Sequence, residues 1–231
     1  MLAIIDHRTP PDTINELSRY VDDIHLFKSE GITYNSISGH PDIFIYQDES
    51  NFIIAPNSPF SLFEFLEDHK VSYTTGVGLA GHSLADSTRY NCISSDKFFL
   101  HKKGFTDKSI CRAVKDKMFI NLPQAYTRCS LTHLCNDKFI TSDLGIEKEL
   151  LDNNLECFYF NPSEITIEDH NHGFLGGTAG VYGNKIFFNG NIDIHEDGNT
   201  LRDFVTSAGM EIINLGTDYL YDGGCIFFIQ N

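Results

Sequence analysis

The chain has 231 residues, 41% of them hydrophobic and 21% charged, which is enough apolar material for one large domain or two small ones. Its formal net charge of -15 repels nucleic acid and anionic membranes; it either keeps the protein soluble or favours a small cationic ligand. No apolar run approaches membrane-spanning length, and six cysteines without a CxxC pair read as scattered buried thiols rather than a disulfide framework.

The N-terminal segment MLAIIDHRTPP carries acids and prolines where a secretory signal needs an apolar core, so a cytoplasmic protein is expected. Leu2 to Ile5 reads as a strand. Pro10-Pro11-Asp12 introduces a helix predicted over Thr13 to Val21, because proline is tolerated where the helical N–H has no partner, and Ile24 to Phe27 is a second strand. Asp42 to Ala55, DIFIYQDESNFIIA, is a hairpin. The helix Phe60 to His69, led by Asn57-Ser58-Pro59, buries its Phe60, Leu62, Phe63 and Leu66 face, and the strand Val71 to Thr74 follows. Gly76 to Tyr90, rich in Gly, Ser and Ala, reads as a loop at a surface or pocket rim.

The same order then recurs. A hairpin over Asn91 to Leu100 precedes a helix near Thr106 and the strand Met118 to Leu122. A third hairpin, Cys129 to Thr141, precedes the helix Ile146 to Leu151 and the strand Cys157 to Phe160. In the fourth, Gly183-Asn184 turns the chain between Ala179 to Tyr182 and Lys185 to Phe188, ahead of a helix over Asp197 to Ala208 and the strand Glu211 to Leu215. A last strand, Cys225 to Gln230, has no returning partner. The spare strand Leu2 to Ile5 supplies one, so the chain is read as α/β, five ββαβ repeats closed into a ring without open edges and forming a single domain over residues 1–231.

This order resembles the pentein fold, the five-bladed α/β propeller with pseudo-fivefold symmetry found in guanidino-group-modifying enzymes. The segment Pro41-Asp42-Ile43-Phe44-Ile45-Tyr46-Gln47-Asp48 is similar to the PDxxFVED segment of dimethylarginine dimethylaminohydrolases. Asp222-Gly223-Gly224-Cys225-Ile226 stands where that family has its nucleophilic cysteine. An uncharacterised bacterial family of this fold is a further likeness. The resemblance implies that a Cys225 thiolate attacks a planar guanidinium carbon, that Asp42 and Asp48 hold the guanidinium nitrogens, and that Gln47 replaces a charged glutamate. The family's histidine position falls at Tyr126-Thr127; His133 is the nearest replacement, with His82 and His40 as others. Leu175-Gly176-Gly177-Thr178 is similar to the EGGD element of related deiminases with both acids replaced.

Residues entering the first strand of each hairpin, namely Asp42, Asn91, Cys129, Thr178 and Cys225, are expected near the ring axis, with Cys129 and Thr178 among the substrate contacts. Each has a plainer reading. Cys225 before IFFI serves as a small buried hydrophobe, Asp42 starts a strand through an Asx turn, Asp48 shapes the QDES turn, and His133 is an ordinary strand histidine. No HExxH spacing occurs; His170-Asn171-His172 is the nearest pair, and no metal or cofactor is expected. The functional expectation is a cysteine-dependent hydrolase or transferase acting on a small guanidine or amidine. The alternative is a non-catalytic pentein that binds a metabolite or a protein partner.

Overall fold

A computed structural model describes residues 1–230. Five three-stranded sheets make up the strand content, each an antiparallel hairpin followed by a helical crossover to a parallel third strand. The first blade is β3 (Ile45–Gln47), β4 (Phe52–Ile54), α2 (Phe60–Asp68) and β5 (Thr74–Thr75). After α3 (Leu84–Ser87) comes the second, β6 (Ile93–Ser94), β7 (Phe98–His101), α4 (Lys108–Ala113) and β8 (Met118–Asn121). The third opens with the single turn α5 (Thr127–Ser130) and holds β9 (Leu131–Cys135), β10 (Lys138–Thr141), α6 (Leu144–Asp152) and β11 (Glu156–Tyr159). The fourth holds β12 (Ala179–Tyr182), β13 (Lys185–Phe188), α7 (Gly198–Ser207) and β14 (Glu211–Asn214).

The fifth blade is built from both ends of the chain. β15 (Phe227–Ile229) runs antiparallel to β1 (Leu2–Asp6) with Leu2 opposite Ile229 and Ile4 opposite Phe227. After α1 (Pro11–Leu17), β2 (Asp23–Phe27) lies parallel to β1 on its other side. The spare N-terminal strand therefore does complete the last hairpin.

The first strand of each blade faces its neighbours around the axis. β6 packs on β9, β9 on β12, and β12 on β15. The Gln47 amide donates to the Phe228 carbonyl at 2.8 Å, and the Tyr46 and Ser94 hydroxyls meet at 2.6 Å, joining the first blade to the fifth and second. The third strands lie at the rim: β5 is exposed, and β8 buries only Ile120. Apolar helix faces cover the sheets, Leu62 and Leu66 from α2, Ile146 and Leu150 from α6, Leu201 and Val205 from α7. Among the described residues no helix is long and apolar enough to cross a membrane.

Local chemistry moved several boundaries. α1 stops at Leu17, short of Val21, because the chain must return to pair β2 with β1 from Asp23. Val71 leaves the strand for the end of α2, where Lys70 takes a left-handed φ of 56° and the Val71 N–H caps the Leu66 carbonyl. The loop 76–90 contains α3, capped by the Ser83 hydroxyl. In the fourth hairpin turn Gly183 alone takes positive φ, 60°, while Asn184 does not.

Candidate functional site

The residues that lead into the five inner strands meet at the axis. Asp42 lies in a single 3-10 turn, Pro41–Ile43, rather than at a strand start, and Cys129 lies in α5. One oxygen of the Asp42 carboxylate, Oδ2, accepts from the Cys129 thiol at 2.7 Å and from the Cys225 thiol at 3.5 Å. Asn91 completes the floor. Its Nδ2 donates to Cys129 Sγ at 3.2 Å and to the Asp42 carbonyl at 3.4 Å, and its Oδ1 accepts from the Arg128 N–H at 2.8 Å. The fourth blade contributes backbone: the Gly177 carbonyl accepts the Cys225 N–H at 2.8 Å, while the Gly176 carbonyl lies 3.2 Å from Cys225 Sγ. Gly176 is required by this approach, since a Cβ there would sit 2.2 Å from the Arg128 carbonyl and 2.7 Å from that of Cys129.

Cys225 holds a φ of 73°, a left-handed conformation that costs a side-chain-bearing residue roughly 1–2 kcal/mol. The preceding Gly224, at φ 69°, lets the chain pass directly over His40, where a Cβ would lie 2.4 Å from the histidine Cβ. His40 is buried, and its Nε2 and Nδ1 stand 3.9 Å from Asp6 and 4.0 Å from Asp222, without a hydrogen bond at either nitrogen. Asp6 is neutralised by Arg8, whose Nη2 reaches it at 2.7 Å. Asp222 accepts backbone N–H groups from Phe174 at 2.8 Å and Gly224 at 3.1 Å.

Burial dominates the electrostatics. It pushes Asp42 above the usual carboxylate range against the pull of its thiol donors and Arg128, and lifts Asp222 to about 6. The Cys129 and Cys225 thiols are pushed well up, by burial first and by the Asp42 charge second, so the resting cluster is a pair of thiols donating to a carboxylate. Burial pushes His40 down, opposed by Asp222 and Asp6.

Above this floor opens a cavity of about 1300 Å³ whose wall includes Gln47, Asp48, Arg128, His133, Cys225 and Phe228. The Arg128 guanidinium lies 4.2 Å from the centre of the Phe227 ring, and its Nε is buried without a hydrogen-bond partner.

The structure thus brings Asp42, Cys129 and Cys225 together. Thr178 is adjacent, with its hydroxyl turned to the Leu175 carbonyl at 2.7 Å. Gln47 lines the cavity but ties its amide to Phe228. Asp48 uses one oxygen for the Ser50 and Asn51 N–H groups and the other for Tyr46 and Lys117, as a residue shaping the QDES turn would. His133 is outside the hydrogen-bonded cluster: its Nε2 donates to Asn136 at 2.7 Å and its ring packs on Phe139. His82 lies in the loop after β5, its carbonyl accepting from the Tyr34 hydroxyl. The histidine of the cluster is His40, next but one to Asp42 in sequence. No role at the site was expected of Asp222 or of the Arg128 side chain; the DGGC run was the available signal for the first.

A sequence profile described as "Family of unknown function (DUF6873)" matches residues 4–227. No curated protein matches the sequence. Among solved structures, the chain is similar to a dimethylarginine dimethylaminohydrolase from Pseudomonas aeruginosa complexed with citrulline (TM-score 0.53, 9% identity, 94% of this chain and 92% of that one). It is also similar to an amidinotransferase from Microseira wollei in the saxitoxin biosynthetic pathway (0.54, 9%, 93% and 88%) and to an agmatine deiminase of C. jejuni with substrate bound (0.56, 8%, 94% and 87%). At these identities the likeness is one of fold, and the fold is the pentein fold.

Proposed function

The chain belongs to the DUF6873 family, a family of unknown function, and we propose that it is a cysteine-dependent enzyme acting on a small guanidine or amidine compound. The observation that carries the proposal is that Cys225, in a left-handed backbone, lines the cavity while its Sγ lies 3.5 Å from the buried Asp42 carboxylate. In this reading the Cys225 sulfur forms a bond to the amidine carbon while its proton passes to Asp42 Oδ2. The C–N bond to the leaving amine then breaks, and Asp42 returns the proton to that nitrogen. Water, or an acceptor amine in a transfer reaction, next forms a bond to the carbon and gives a proton to Asp42 Oδ2; the C–S bond breaks and the proton returns to Cys225. A cationic substrate also offsets the Asp42 charge that raises the thiol pKa, so the thiolate forms when substrate is present. The names of the similar structures, a dimethylaminohydrolase, an amidinotransferase and a deiminase, support the same substrate class.

A second reading, a non-catalytic ligand-binding pentein, is favoured by one observation: Asp42 Oδ2 is already occupied by the Cys129 thiol. Alkylation of the native protein with iodoacetamide decides between them. The enzymatic reading expects labelling at Cys225, slowed by guanidine or amidine compounds, and amine release from such compounds that is lost in Cys225→Ser with the fold retained. A native Cys225 that resists labelling, with the same compounds bound but unchanged, leaves the binding protein.

A further inference from the structure

Three buried side chains at the axis direct metal-type donors at one another. One nitrogen of His40, one oxygen of Asp42 and the sulfur of Cys129 all lie within 4.8 Å of each other. Two of these groups hold unused valence, since both ring nitrogens of His40 and Oδ1 of Asp42 are buried without hydrogen-bond partners. Leaving such atoms unsatisfied in a protein interior costs about 1–3 kcal/mol each, so their convergence calls for a ligand. A fourth donor is at hand: the Cys225 thiol shares Asp42 Oδ2 with the Cys129 thiol.

We propose that His40, Asp42, Cys129 and Cys225 form a binding site for a zinc-class divalent cation. Two thiolates, one imidazole and one carboxylate are a donor set that zinc accepts in tetrahedral geometry, with metal–ligand bonds of about 2.0–2.3 Å. Donors so spaced sit about 3.5 Å apart; the His40, Asp42 and Cys129 atoms, now within 4.8 Å of one another, and Cys225 Sγ, 3.5 Å from Asp42 Oδ2, would have to turn onto the ion to reach that spacing. Binding releases the two thiol protons to solvent, and Asp42 coordinates as the carboxylate that already accepts from both thiols. The three anionic ligands and the cation leave one net negative charge beside the Arg128 guanidinium, which makes no ion pair among the described residues. The surroundings are those of a histidine that serves a metal: whichever ring nitrogen turns to the ion, the other faces Asp6 or Asp222, each about 4 Å away. Entry is through the cavity, whose wall includes Cys225.

The inference does not rest on the enzymatic reading, and it bears on it. An ion held by Cys225 removes the thiolate from the cavity, so metal occupancy and thiol chemistry exclude one another at this residue.

Cobalt(II) titration of the reduced, chelator-stripped full-length chain tests the site, with the thiolate-to-cobalt absorbance as readout. The expected result is one cobalt per chain, displaced by zinc, a raised Tm, and protection of Cys225 from iodoacetamide by zinc. The nearly isosteric Cys129→Ser should lose roughly half the thiolate absorbance, His40→Gln should bind more weakly still, and Asp222→Asn should lose about tenfold to a hundredfold in affinity. A spectrum that stays that of aqueous cobalt, or an absorbance undiminished in both Cys129→Ser and His40→Gln, overturns the proposal; the second places the ion on Cys111, Cys135 or Cys157. Labelling of Cys225 competed by guanidines, without cobalt uptake, removes the metal site and leaves the enzyme. Cobalt uptake in a protein whose metal-free Cys225 never reacts does the reverse.

Discussion

Gly176 shows how far the axial floor depends on single residues. Its missing side chain lets the fourth blade close to within van der Waals contact of the Arg128 and Cys129 carbonyls, which fixes the backbone that receives Cys225. Those neighbours are backbone and cannot rotate aside, so Gly176→Ala should destabilise by about 1–3 kcal/mol and speed iodoacetamide alkylation of Cys225 as the floor loosens. A denaturant midpoint and a labelling rate equal to wild type would show that the blades do not pack this way. The convergence of Asp42, Cys129 and Cys225 was legible in the sequence because equivalent positions of a cyclic repeat fall at equivalent places around the axis. The histidine was legible only as one of three candidates, His133, His82 and His40. His133 lies on an inner strand, and strand position alone favoured it, whereas its ring is spent on the Asn136 carbonyl. His40 enters because Gly224 permits a crossing that no spacing rule encodes.

At the scale of elements, the hairpins were readable from their turn residues and recurring order, and the closing of the ring from the one strand without a partner. Boundaries were less so, because they are set by tertiary demands. Val71 has strand propensity, yet its N–H satisfies a helix carbonyl, and β5 shrinks to Thr74–Thr75. The closing strand is also where stability should be most sensitive. Phe227 is fully buried, pairs with Ile4 and carries the Arg128 guanidinium on its face, so Phe227→Ala should cost about 3–5 kcal/mol in denaturant unfolding. A chain cut after Ile226 goes further. It leaves β1 with an unpaired edge and uncovers Leu2 and Ile4, and it should aggregate rather than melt cooperatively. A monodisperse, cooperatively unfolding truncation would mean that β15 is dispensable to the ring.

For the molecule as a whole, the balance of buried ionisable groups sets how the fold answers to pH. His101 is fully buried, its Nε2 donating to the Ala125 carbonyl at 3.0 Å and its Nδ1 facing the Thr106 hydroxyl at 2.6 Å, an arrangement that satisfies the neutral ring. Burial pushes it, and His25 packed on Phe65, down to about 4. Between about 4 and their ordinary value of 6.5 the unfolded chain binds protons that the native state refuses, so stability rises with pH across that window and is lost on acidification, by up to about 3 kcal/mol for each histidine. Asp222 works in the opposite sense. With its pKa raised to about 6, the native state holds a proton that the unfolded chain has released, and stability falls as pH rises from about 4 to 6, by a similar amount. His25 and His101 together outweigh Asp222, and His40 and His133, pushed down by burial as well, act against Asp42, pushed up by it, so the Tm is expected to fall between pH 6.5 and 4. His101→Gln keeps a donor and an acceptor for Ala125 and Thr106 but does not titrate, and it should remove about half of the contribution of His25 and His101. A Tm that is flat or rises on acidification through this window, or a slope unchanged in His101→Gln, would mean that these rings are not held neutral by the fold.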